Sequence, residues 1–354
     1  METIFFPRKD YDVIVCPHRY GKKMTYTEQS DRIFPSTTFP WIYGLAQSYG
    51  LKIGFFAIYT DFEDANFQDA KDALIADKVW FDEYSMAPSI ETKIINHQTI
   101  TEGEFRNAYT ETLLPAFHGA VGEKPVCLSY AYGTQTFRDY VCPLYLGARN
   151  SDGVASNGGT DYGVGYGSPS NILYSFANFK SRSSTIRWYD RAVGTSAFSE
   201  GIAEVSALID TTKENGGWLN NFTHFHSVVS NGHQSVYEQY FQMLADKNAN
   251  NEIYFAGYGE AVSYLVFRQM VTKAVMYEPT DEPGTLVIRL DARNTLGVDT
   301  ELLQIPISIK FSTIGTPLAG QTIKSDRNLV SLGGGDYIVE IPYASFPVAK
   351  ISKA

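Results

Sequence analysis

The chain is poor in cysteine, in basic clusters and in long apolar runs, and each shortage removes a class of function. Its 354 residues hold three cysteines, Cys16, Cys127 and Cys142. They are too few and too scattered for a disulfide framework or a zinc knuckle, and read as buried free thiols. No Lys/Arg cluster runs along any segment and the formal net charge is −10, which argues against nucleic acid or an anionic membrane as partner. No apolar stretch approaches the ~18 residues that mark a membrane span. The opening METIFFPRKD lacks a basic region followed by a long apolar core, so no signal peptide is expected. That leaves location open between the cytoplasm, a secreted protein whose leader has been removed, and attachment to a virion. A G-x-S-x-G nucleophile elbow is also missing. The glycines of NSDGVASNGGTDYGVGYGSPSN, 150–171, do not open a helix after a strand, so no phosphate cradle is expected there.

What remains is an ordinary globular composition, 44% hydrophobic and 19% charged, long enough for one large domain and a small one. Aromatics reach 14%, with 24 Tyr. Packing accounts for them first. Sugar stacking is the functional alternative, since Tyr and Trp offer flat apolar faces with a polar tip.

The organising stretch is 24–58, which reads as strand, loop, helix, strand. Met24 to Thr27 is short and rich in β-branched and aromatic residues, and a polar loop is expected from Glu28 to Thr38. Trp41, Leu45 and Tyr49 then recur at helical spacing. Gly50 stands where a left-handed C-cap belongs. LKIGFFAI, 51–58, is the continuous apolar run of a strand buried on both faces. Together they make a βαβ unit, whose ligands sit at the carboxyl ends of the strands.

Further strands are expected at DVIVC (12–16), IETKIINHQTI (90–100), PVCLSYAY (125–132), IRWY (186–189), WLNNFTHFHSVV (218–229) and IYF (253–255). Helices are expected at 102–117 with Thr101 as N-cap, at 136–146, 199–215, 234–248 and 259–272. Residues 61–77 are helix-prone and read as an insertion over a barrel edge. From 285 onward the pattern is antiparallel β, with no helical period. The expected domains are therefore 1–280 and 281–354, joined by the acidic TDEPG linker.

At 24–58 the chain resembles the polysaccharide deacetylases of the NodB-homology type, carbohydrate esterase family 4. There a Thr-Phe-Asp-Asp-Gly motif ends the first strand, and the next strand resembles LKIGFFAI. TYTEQ departs from the first motif. Further on, His97 stands at the first position of the His-x-x-x-His motif and Thr101 at the second. Tyr130-Ala131-Tyr132-Gly133 resembles the tail of the Arg-x-Pro-Tyr-Gly motif, and Phe222 to His226 resembles the late histidine motif. The resemblance runs in order over about 26 to 272. It implies an irregular (β/α) barrel with a small C-terminal antiparallel β-sandwich.

Removing an acetyl group from a sugar needs an activated water, a base, and a stabiliser for the tetrahedral oxyanion. A divalent metal supplies part of this, and a histidine can protonate the departing group. The resemblance implies Glu28 and His97 as ligands of zinc, nickel or cobalt, with Asp31 or Glu91 as candidates to complete the set. It implies His224, His226 and Tyr132 as catalytic, and Tyr130, Arg187 and Trp188 as substrate-binding. The implied partner is a polysaccharide or oligosaccharide.

Each residue also has a plainer reading: Glu28 as a solvated loop carboxylate, His97 as a hydrogen-bonded strand-end histidine, His224 and His226 as a polar rim on one strand face. His18 is a further candidate donor, and His118 and His233 read as surface loop residues. Asp190, Glu238 and Glu260 are conceivable glycosidase acids that no spacing marks. Thr27 stands where the family places its base, and a neutral hydroxyl cannot do that work. With Thr101 it motivates the second hypothesis, an inactive barrel serving as a carbohydrate-binding or structural module.

Overall fold

The computed structural model describes residues 9–84, 87–96, 98–129, 144–149, 181–184, 195–294, 297–344 and 347–354. Two compact units divide the chain, Lys23–Ser263 on one side and Met1–Lys22 with Tyr264–Ala354 on the other. The short opening strands β1 (Asp10–Tyr11) and β2 (Val13–Val15) belong to the second unit.

The larger unit is built on eight strands: β3 (Met24–Asp31), β4 (Ile53–Ala57), β5 (Val79–Tyr84), β6 (Cys127–Ser129), β7 (Gly147–Arg149), β8 (Ser181–Ser184), β9 (Trp218–Phe222) and β10 (Ile253–Ala256). Every pairing among them is parallel. The order is β7-β6-β5-β4-β3-β9-β8, with β10 beside the first half of β3. An open doubly wound sheet would place β8 next to β3 and β9 outside it. Here β9 lies next to β3 and β8 outside, which is the order of a cylinder cut between β7 and β8. This is the irregular (β/α) barrel.

The βαβ unit forms as its sequence suggests. Helix Phe39–Ser48 buries Phe39, Ile42 and Ala46. Gly50 adopts φ +66°, and Leu51 N donates to Ala46 O at 2.9 Å, the return of the chain past a left-handed residue. All five residues of β4 are buried. Met24, Tyr26, Ile53 and Phe55 share a core with Phe225, Tyr237, Tyr240 and Leu244 from the surrounding helices, and each large side chain so placed contributes about 1.5–3 kcal/mol.

Several elements differ from the sequence pattern. Within 90–100 the structure has helix Pro88–Ile95 instead of a strand, because parallel neighbours need a helical crossover and that demand outweighs β-branched propensity. Residues 61–77 are that same kind of crossover between β4 and β5, as helices Tyr59–Phe62 and Phe67–Ile75, and not an insertion. The expected strand 218–229 ends at Phe222 and continues as helix Phe225–Ser230. β3 runs four residues beyond Thr27, to Asp31. The expected helix 136–146 lies largely, and the expected strand 186–189 wholly, outside the described residues.

The second unit carries two antiparallel sheets. One has the order β1-β11-β12-β17-β14, from β11 (Val271–Tyr277), β12 (Thr285–Ala292), β14 (Ile323–Ser325) and β17 (Val348–Lys353). The other has β15-β16-β13-β2, from β13 (Ile307–Ser312), β15 (Leu329–Gly333) and β16 (Asp336–Ile341). TDEPG is the turn between antiparallel neighbours β11 and β12. The units part instead at Tyr264, inside helix Tyr258–Met270.

Candidate functional site

β3 is buried along its whole length although six of its eight residues are polar. Its alternation sorts the side chains onto two faces. Tyr26 and Glu28 point towards the helices; Thr27, Gln29 and Asp31 share the opposite face.

On the helix-facing side, Glu28 is 1% exposed. It accepts from Tyr26 Oη at 2.9 Å, from Tyr240 Oη at 2.8 Å and from Asn221 Nδ2 at 2.8 Å. The Tyr26 and Tyr240 hydroxyl oxygens also lie against one another. Burial raises the Glu28 carboxyl to about 7, against the opposing pull of those donors. Glu28 is thus held in a closed polar network and does not face the end of the barrel.

On the other face, Thr27 Oγ1 donates to Asn220 Oδ1 at 2.8 Å and accepts from Trp218 Nε1 at 3.0 Å. Gln29 Nε2 donates to the same Asn220 oxygen at 2.6 Å. One step further, at the carboxyl end of β3, Asp31 gathers a cluster. Ser129 Oγ, from the end of β6, donates to Asp31 Oδ1 at 3.0 Å. His224 Nε2, just beyond β9, lies 3.5 Å from Asp31 Oδ2. The His226 ring sits 5.2 Å from the His224 ring and 4.7 Å from that of Phe34. The strand expected at 218–229 would have put the two histidines on one face; the structure reaches a similar pairing through a turn into a helix. Burial first, then the charges of His224 and Arg32, push His226 down to about 4.

The loop after β3 is left-handed at two non-glycine residues, Arg32 (φ +63°) and Phe34 (φ +47°). Such conformations cost of order 1–3 kcal/mol each and need support from their surroundings. Asp61 supplies it. Its carboxylate, 2% exposed, accepts from Ile33 N at 2.9 Å, Phe34 N at 3.2 Å and Ile58 N at 3.1 Å. Burial raises the Asp61 pKa, with these three N–H groups and the Arg32 charge opposing.

Of the residues singled out in the sequence, His224 and His226 are brought together with Asp31, and Glu28 is not. His97, Tyr130, Tyr132, Arg187, Trp188 and Asp190 lie outside the described residues. Thr101 is an exposed N-cap, with Glu104 N donating to its Oγ1 at 3.3 Å and Glu104 Oε2 accepting from Thr101 N at 2.9 Å. His18 is buried in the second unit, His118 is exposed but lies in helix Leu114–Val121 and not in a loop, and His233 is buried where a surface residue was expected. Glu238 is exposed, while Glu260 is buried against Lys52, Tyr254 and Gly257. Sequence reasoning passed over Arg32, Phe34 and Asp61 altogether. Asp31 was a candidate to complete a ligand set; the alternation of β3 that puts it on the opposite face from Glu28 was hidden because a polar run reads as loop.

No family model matches the sequence, and no curated protein matches it either. Solved structures do. The Puue allantoinase aligns with a TM-score of 0.46 at 10% identity, covering 70% of this chain and 92% of that one. A putative polysaccharide deacetylase from Mycobacterium smegmatis gives 0.43 at 10%, covering 73% and 95%. The Xyl-CE4 domain of a multidomain xylanase, from the hindgut metagenome of Trinervitermes trinervoides, gives 0.42 at 13%, covering 70% and 91%. The chain is similar to polysaccharide deacetylases in structure. With TM-scores below 0.5 that likeness carries no weight on activity, and the site stands on its own geometry.

The metal implied by the sequence resemblance would be held by Glu28 and His97. Among the described residues no three His, Cys, Asp or Glu side chains are grouped to hold a metal ion. Glu28 is committed to Tyr26, Tyr240 and Asn221. His97, the other ligand that the resemblance implies, lies outside the described residues; the described side chains by themselves offer an acid–base pair, Asp31 and His224.

Proposed function

We propose that this chain is a deacetylase-like hydrolase, acting on acyl groups of a polysaccharide or oligosaccharide, with its reaction centred on Asp31 and His224. The observation that carries the proposal is their approach, Oδ2 to Nε2 at 3.5 Å, at the end of the barrel where the carboxyl ends of the strands place ligands.

In this reading Ser129 fixes the Asp31 carboxylate, and Asp31 orients the His224 imidazole. His224, about one-third exposed, takes a proton from water as the water oxygen bonds to the acyl carbon. It returns that proton to the sugar oxygen or nitrogen as the acyl bond breaks. Acetate and a free hydroxyl or amine leave, and the histidine is restored. His226, neutral at pH 7, packs beside His224 and keeps a second positive charge away from it.

The test is acetate release from acetylated oligosaccharides. His224→Gln and Asp31→Asn should each lower the rate by about 10²–10⁴-fold. Unchanged rates in both variants would overturn the assignment.

A second reading, a glycan-binding barrel without turnover, is favoured by Thr27 and Glu28, whose polar atoms are tied into internal hydrogen bonds at the positions that the resemblance gives to base and ligand. Glycan binding by the wild type with no acetate release would select it.

A further inference from the structure

Arg32 follows Asp31 directly and brings a permanent positive charge to the Asp31 cluster. Its guanidinium lies 4.0 Å from the centroid of the Phe34 ring, and Phe34 in turn packs on His226. Arg32, Phe34 and His226 thus form a stack that ends at His224. The guanidinium has little to do inside the protein. Nη2 donates to a neutral oxygen, Thr60 Oγ1, at 3.3 Å. Nε is buried and has no hydrogen-bond partner among the described residues. The nearby acid Asp61 spends its oxygens on backbone N–H groups, as described above. Arg32 is partly exposed and is held in place by the left-handed backbone that Asp61 supports. A guanidinium is a planar fork that matches a carboxylate, and the exposed part of Arg32 is available to one from solvent.

We infer that Arg32 is a specificity residue that selects a carboxylate-bearing glycan, binding the acid group of a sugar while the acyl group lies at Asp31 and His224. The inference rests on the proposed hydrolase reading and names its substrate class. A singly charged carboxylate fits better than a phosphate dianion, because the neighbouring Asp31 is itself an acid and the chain carries a formal net charge of −10.

The experiment compares two N-acetylated disaccharides that differ only at C6, one a carboxylate and the other a hydroxymethyl group. Affinities are measured by calorimetry in the His224→Gln background, so that binding is read apart from turnover. The acidic ligand should bind about ten-fold tighter or more, and the ratio should shrink as salt is raised. Arg32→Gln should bring the ratio near one, and Arg32→Lys, which keeps the charge without the fork, should fall between. Equal affinities in the parent protein, or a ratio that survives Arg32→Gln, would overturn the inference. A purely structural role for Arg32 would weaken both ligands alike and leave the ratio intact. If acetate release fails for both sugars while the affinity ratio holds, the hydrolase reading falls and the acid selectivity stands.

Discussion

Ser129 donates its hydroxyl hydrogen to Asp31 across 98 positions of sequence, at 3.0 Å. The bond joins the ends of two strands that are not neighbours in the sheet, with β4 and β5 between them. It occupies one carboxylate oxygen and leaves the other turned to His224. Replacing Ser129 with alanine should lower kcat/KM for acetate release about ten-fold, the worth of one hydrogen bond to a charged group. KM should change little, because Ser129 acts through Asp31. Steady-state kinetics on an acetylated oligosaccharide decide it.

Asp61 should matter to the backbone more than to the chemistry. Asp61→Ala removes the acceptor of three N–H groups, two of them buried, and should cost about 2–3 kcal/mol of stability. Hydrogen exchange at Ile33 and Phe34 should accelerate more than at β4. Uniform acceleration across the barrel would contradict a local clamp.

Three buried carboxyls give the barrel a distinctive pH response. Burial raises Glu28 and Asp82 to about 7 and Glu83 to about 8. A carboxyl raised on folding holds its proton in the native state where the unfolded chain has lost it. Its contribution is therefore complete below the ordinary carboxylate range and is lost as pH rises through about 7 to 8. His226, lowered to about 4, works the other way: its contribution is lost as pH falls from about 6.5. Calorimetry should find a melting temperature that falls from about pH 5 to about pH 8, between the unfolded and folded pKa values of these carboxyls, and levels off above that. Glu28→Gln should flatten that slope, and an unchanged slope would mean that Glu28 does not titrate there.

Gly257 marks how tightly the barrel closes. A Cβ there would stand 2.1 Å from Trp80 Cβ and 2.3 Å from Trp80 Cγ. These atoms lie close to the backbone and cannot swing aside. Gly257→Ala should cost about 3 kcal/mol, seen as a lower denaturant midpoint with an unchanged slope. Gly44→Ala, where a Cβ meets nothing within 4 Å, is the control and should be neutral or stabilising.

The sequence by itself determined the alternation of strands and helices, the βαβ unit at 24–58 with its buried β4, and the antiparallel pattern after 285. These follow from local period, caps and turn residues, which a short window contains. Only the tertiary structure decided which carboxylate serves the site. Glu-Gln-Ser-Asp, 28–31, looks like loop because polar runs are solvated when alone. In the centre of a sheet each of them finds a partner: Glu28 meets Asn221 from 193 positions away, and Asp31 meets Ser129. A strand has two faces, and nothing in its own residues says which one will meet the helices. That choice is made by packing with the distant segments, and it turned Glu28 to the tyrosines on the helix-facing side and Asp31 towards the histidines.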